Sequence, residues 1–206
     1  MNIQYIKIKV FGLFVLFCLA LPLYSDSIHE STHEIKNTEE STLIKLKTSE
    51  GDITLSLFVD KAPETTKNFL YYAKNGDYKG TIFHRVIKNF MIQGGGHLPD
   101  MSQISTIDPI VNESNNNISN KKGTIAMART SDPHSATSQF FINLIDNSFL
   151  DKENAPDDFG YCVFGEVVEG IEIVEKIGHT ATGNKLGYSD VPLENIIIED
   201  VEIIKE

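Results

Sequence analysis

Three short blocks of this 206-residue chain hold the residues whose types and spacing could do chemistry: FHRV at 83–86, FMIQGG at 90–95 and SQFF at 138–141. Arg85 offers a guanidinium and Gln93 an amide eight residues further on, while Phe90, Met91 and Phe140 offer large apolar surfaces. Lys88 and Asn89 break the run between Arg85 and Gln93, so the two can face each other on adjoining strands. Such a set can supply a charged hydrogen bond inside an apolar pocket. Taken singly, Arg85 reads as a surface cation or salt-bridge partner, Gln93 as an ordinary polar strand residue, and the aromatic residues as core. Alternation hints that Phe140 and Phe141 face opposite sides of one strand.

Other constellations are weaker. GGG at 94–96 is followed by His97, Leu98 and Pro99 rather than G-K-[ST], so it reads as a flexible turn and not a phosphate loop. Ser135, Thr137 and Ser138 lie near His134, but G-x-S-x-G is absent and all four sit in a polar loop. His84 should point away from Arg85 by strand alternation and reads as a packed histidine. His29 and His33 have no third metal ligand in view, and no metal or cofactor is expected.

The elements that must position these residues begin after residue 41. Lys7 and Lys9, the uncharged apolar run Val10–Leu23 and the polar turn at Tyr24–Ser27 have the layout of a secretory signal peptide over residues 1–25. That run is shorter than the ~20 residues of a spanning helix, so no stable membrane association is expected once the leader is cleaved, the alternative being an uncleaved anchor starting near Ile3. Residues 26–41, DSIHESTHEIKNTEES, read as a flexible polar linker. Periplasmic or secreted localisation follows. The net charge of −11 becomes −13 without the leader's two lysines, which argues against nucleic acid as a partner. Cys18 lies in the leader, so Cys162 is left without a disulfide partner and reads as a small buried hydrophobe.

Residues 42–206 form one domain. LIKLKTS and DITLSLFV alternate apolar and polar residues around a turn at Glu50–Gly51, which predicts an antiparallel hairpin. Pro63 opens a helix in APETTKNFLYYAKNG, and Asn75–Gly76 ends it. Short β-rich runs follow at TIFHRVI, FMIQGG, TIAMAR, QFFINL and YCVFGEV, with a second helix near Ile171–Ile177 and a last strand in NIIIEDVEII. HTATGNKLGYSDVP at 179–192 reads as a loop. Many short strands and two helices predict a mainly β, closed or nearly closed antiparallel barrel.

FHRVIKNFMIQGG at 83–95 closely resembles the cyclophilins. APETTKNFL, MARTSDPHSATSQFFIN at 127–143, NSFLD at 147–151 and FGYCVFGEVVEGIEIVEKI at 159–177 also resemble bacterial members, in the family's order. The resemblance implies an eight-stranded antiparallel closed barrel capped by two α-helices, acting on X–Pro bonds of unfolded or partly folded polypeptides, with a monomer as the expected state. By the same resemblance Arg85 is the catalytic arginine and Gln93 the glutamine that orients it. Phe90, Met91, Phe140 and Leu150 form the proline pocket, and Ala128 and Arg129 form the edge that pairs with the peptide. Phe149 and Tyr161 stand where many eukaryotic members carry Trp and His, a departure shared by bacterial relatives. The expected activity is therefore peptidyl-prolyl cis/trans isomerisation in the folding of exported proteins. The rival is a periplasmic chaperone or peptide-binding module that holds unfolded chains in the same groove with little turnover.

Overall fold

A computed structural model describes residues 42–205. The leader expected over 1–25 and the linker over 26–41 lie outside the described residues. Strands β1 (Thr42–Thr48) and β2 (Gly51–Leu57) form the expected hairpin, with Thr48 opposite Gly51 across a two-residue turn. Alternation buries Ile44, Leu46, Ile53 and Leu55 completely. Helix α1 (Pro63–Asn75) begins on proline and ends where Gly76 turns left-handed at φ 75°.

Five strands follow: β3 (Arg85–Ile87), β4 (Met91–Gly94), β5 (Thr124–Met127), β6 (Phe140–Asn143) and β7 (Val163–Glu169). Helix α2 (Ile171–Gly178) comes next, then β8 (Thr182–Lys185), β9 (Tyr188–Pro192) and β10 (Ile198–Lys205). Eight strands make one antiparallel sheet in the order β10-β1-β2-β7-β5-β6-β4-β3, and β8 with β9 forms a separate hairpin where the sequence reads as a loop.

The expected closed barrel is corrected to an open half-barrel whose edges are β3 and β10. β3 has only three residues and spends its ladder on β4, while β10 pairs with β1 along its length. Between the edges lie one isolated bridge, Ile82 to Ile197, and irregular bonds such as Phe83 N–H to Ile196 O at 2.9 Å.

The sheet has two apolar faces. Inside it, Phe69 of α1 meets the rings of Tyr78, Phe140 and Phe164 at 5.1, 5.6 and 5.3 Å, and Val174 and Ile177 of α2 join the same core. On the other face Met91, Ala126, Phe141, Leu150 and Val163 form a smaller cluster, flanked by Phe90, Ala128 and Tyr161. That second face carries most of the residues singled out above, Phe140 excepted.

α1 has no side-chain cap of its own, since Ala62 precedes it. The Glu113 carboxylate closes the end from 48 residues away in sequence. It accepts the Thr65 N–H at 2.8 Å, the Glu64 N–H at 3.2 Å and the Thr65 hydroxyl at 2.7 Å.

Candidate active site

Register brings the site together. Arg85 pairs with Gln93 across β3 and β4, Gln93 with Phe141 across β4 and β6, and Phe141 with Ala126 across β6 and β5. Directly paired residues point to the same face, so these four side chains form one row across four strands. The next row holds Ile87 and Met91.

Behind this row lies a cavity of about 240 Å³ lined by Arg85, Phe90, Met91, Gln93, Ala128, Arg129, Phe141, Leu150 and Tyr161. It is smaller than the roughly 300–1,000 Å³ of sites that enclose a drug-sized molecule, and suits a single side chain. Eight of the ten residues expected at the site therefore share one pocket. Phe140 does not. β6 buries all four of its residues on alternating faces, which turns Phe140 into the core against Phe69, Tyr78 and Phe83 and leaves Phe141 on the cavity wall. Phe149 is also outside the lining: it is 54% exposed and stacks on Phe90 at 5.7 Å, extending the apolar rim.

The polar groups are held in sequence. Arg85 Nη1 donates to Gln93 Oε1 at 3.4 Å, and Gln93 Nε2 donates to Gln139 Oε1 at 2.9 Å, so Gln139 fixes which end of the Gln93 amide faces the guanidinium. Within SQFF and the β-rich run QFFINL, nothing in the sequence separates Gln139 from an ordinary polar strand residue. Gly96 carries the matching signal, because a Cβ there would come within 2.3 Å of Gln139 Cγ. The 94–96 glycines pack closely, and Gly95, at φ 76°, also bends the chain there.

Arg129 is fastened rather than free. Its side chain is only 4% exposed, donates to Gly160 O at 2.9 and 3.1 Å and to the Asp157 carboxylate, and covers the Tyr161 ring at 4.5 Å. Burial pushes Asp157 upward, but hydrogen bonds from Arg129 and from the Gly160 and Phe159 amides outweigh it and hold the carboxyl at about 2. Ala128 N–H bonds Gln139 O at 2.9 Å, whereas the Arg129 backbone N–H and C=O make no hydrogen bond among the described residues. Asn147 Nδ2 bonds both Phe90 O and Asn143 Oδ1, tying the Phe90 wall to the turn that carries Leu150.

His84 is buried beside His97 with ring centroids 4.2 Å apart, which is the packed histidine the sequence implied. Cys162 is buried and its thiol is pushed up to about 11, chiefly by burial, so it is inert.

Comparison with known proteins shows the family. Residues 43–203 match the family described as cyclophilin type peptidyl-prolyl cis-trans isomerase/CLD. Peptidyl-prolyl cis-trans isomerase B of Escherichia coli (strain K12) is 54% identical over 162 residues, 78% of this chain and 99% of that protein. Peptidyl-prolyl cis-trans isomerase A of Dickeya dadantii (strain 3937) is 52% identical over 166 residues, 81% of this chain and 86% of its own length. Among solved structures, a cyclophilin type isomerase of Cryptosporidium parvum determined in the presence of the dipeptide Ala-Pro has a TM-score of 0.62 at 30% identity, covering 80% of this chain and 99% of that one. The chain belongs to the cyclophilin-type peptidyl-prolyl cis-trans isomerases and is an isomerase.

Proposed function

We propose that Arg85 lowers the rotational barrier of an X–Pro bond whose proline ring sits among Phe90, Met91, Phe141 and Leu150. The observation that carries this reading is the Arg85–Gln93 pair on the wall of that apolar cavity. In a planar amide the nitrogen lone pair is delocalised into the carbonyl, and rotation must overcome about 18–20 kcal/mol. Twisting the bond frees the lone pair, which then accepts a hydrogen bond from the guanidinium. That bond exists only in the twisted state, so it favours the transition state over both planar forms.

Uncatalysed isomerisation takes tens to hundreds of seconds, so a turnover of about 1,000 per second requires roughly 7 kcal/mol. One charged hydrogen bond in a water-poor pocket contributes about half. Holding the ring still while the preceding carbonyl swings contributes the rest. The unpaired backbone N–H and C=O of Arg129 would bind the substrate main chain beside Ala128, which fixes the direction of the peptide.

Clients are read as exported polypeptides with slow X–Pro bonds. The support is the leader-like composition of residues 1–25. Cell fractionation tests export, and recovery only from the cytoplasm would reject it; N-terminal sequencing of the exported protein tests cleavage, which an intact Met1 would reject.

The mechanism is tested by Arg85→Ala in a protease-free NMR exchange assay on a proline peptide. kcat/KM should fall at least about a hundredfold, roughly 2.7 kcal/mol, with the fold intact. Near-normal turnover would overturn the assignment. Retained peptide binding with lost exchange separates an enzyme from a chaperone that merely holds chains.

A further inference from the structure

We propose that Asp190 is a positioning residue for Arg85, an inference that rests on the Arg85 mechanism above. Asp190 Oδ2 lies 4.0 Å from Arg85 Nε, on the side of the guanidinium away from the Nη1 that bonds Gln93. The Arg85 side chain is 42% exposed and long, and its single hydrogen bond to Gln93 is stretched at 3.4 Å. One such contact leaves the guanidinium free to swing about its last torsions. A carboxylate 4.0 Å from Nε adds a second, electrostatic restraint on the orientation of the planar group.

The hairpin β8–β9 gives that carboxylate a firm base. Val191, next to Asp190, is 2% exposed and packs with Ile82 and Met101, which belong to the segments flanking β3 and β4. Lys185 Nζ ties the other strand to Pro99 O at 2.9 Å, and Tyr188 sets its edge against the His97 ring at 5.2 Å. Asp190 itself adopts φ 61°, a left-handed conformation that only glycine adopts freely and that Asp or Asn tolerates better than most. The chain accepts that strain at the one residue of the hairpin that faces Arg85 with a charge. The other pocket arginine also has a carboxylate behind it, more tightly, since Asp157 accepts a hydrogen bond from the buried Arg129. The two carboxylates keep both cations aimed at the cavity without entering its lining.

The pairing should matter most with substrate bound. A peptide covering the cavity excludes water, and the attraction between the two charges strengthens as the local dielectric falls. Because Arg85 works only on the twisted amide, misaiming it should lower kcat and leave KM nearly unchanged.

Asp190→Asn is the informative variant, since Asn keeps the shape and tolerates φ 61° while losing the charge. In the NMR exchange assay, kcat should drop about fivefold to twentyfold with KM within twofold of the parent. In an Arg85→Ala background the same change should have no further effect, because there is nothing left to aim. The ¹⁵Nε–H signal of Arg85 should shift, and its exchange with water should speed up, in Asp190→Asn. An unchanged kcat, an equal loss in both backgrounds, or an unaltered Arg85 Nε–H signal would each overturn the role. An Arg85→Ala enzyme as active as the parent would instead overturn the underlying mechanism.

Discussion

Phe140 and Phe141 are consecutive residues of β6 that belong to different parts of the protein. Phe140 is fully buried among Phe69, Tyr78 and Phe83, while Phe141 faces the cavity opposite Gln93 and Ala126. The pleat separates core from cavity wall within one dipeptide.

Phe140→Leu should therefore cost about 1–2 kcal/mol of stability and leave kcat/KM within about threefold. Phe141→Leu should lower kcat/KM about tenfold, since the proline ring loses its aromatic wall. Urea unfolding and NMR exchange on the two variants check this together. Equal kinetic losses in both would show that the two faces are not independent.

Glu113 does for α1 what a local cap normally does. Its carboxylate holds two backbone N–H groups at the positive end of the helix dipole. Glu113→Ala should reduce unfolding free energy by about 1–2 kcal/mol, and Glu113→Gln by less, because one acceptor oxygen remains. Unchanged urea midpoints in both variants would remove the capping role.

Local signals explain what was legible in the chain. Alternation in LIKLKTS and DITLSLFV, Pro63 at the start of α1 and Gly76 at its end specify those elements within a few residues. The break at Lys88–Asn89 likewise sets Arg85 against Gln93, since Asn89 takes the left-handed conformation, φ 58°, that the tight turn needs. Alternation could not say which phenylalanine faces the cavity, because FFIN is buried on both sides and offers no polar contrast. β8 and β9 were hidden for the opposite reason. TGNK and YSDVP have no apolar stripe, and their turn places Leu186 at φ 50° beside Gly187 at φ 87°, a demand few would read into a leucine. Closure of the barrel was overestimated because it depends on whether β3 reaches β10, a long-range matter that strand counting does not address.

The His84–His97 pair makes stability depend on pH. Burial, then the neighbouring His97 ring, lowers His84 from 6.5 to about 4, and burial lowers His97 as well. His84 Nδ1 and both ring nitrogens of His97 make no hydrogen bond among the described residues, and burial with the His97 ring outweighs the hydrogen bonding to Ile82 and Gln139 that favours the proton, while the Arg85 charge opposes it. The unfolded chain binds protons at higher pH than the folded one. Stability from His84 is thus complete above about pH 6.5 and declines as pH falls toward 4, by roughly 3 kcal/mol in all. Urea midpoints measured between pH 7.5 and 4.5 should fall, and His84→Phe should flatten part of that slope. A wild-type midpoint that stays level from pH 7 to 5 would mean that the imidazole accepts its proton in place, without cost to the fold.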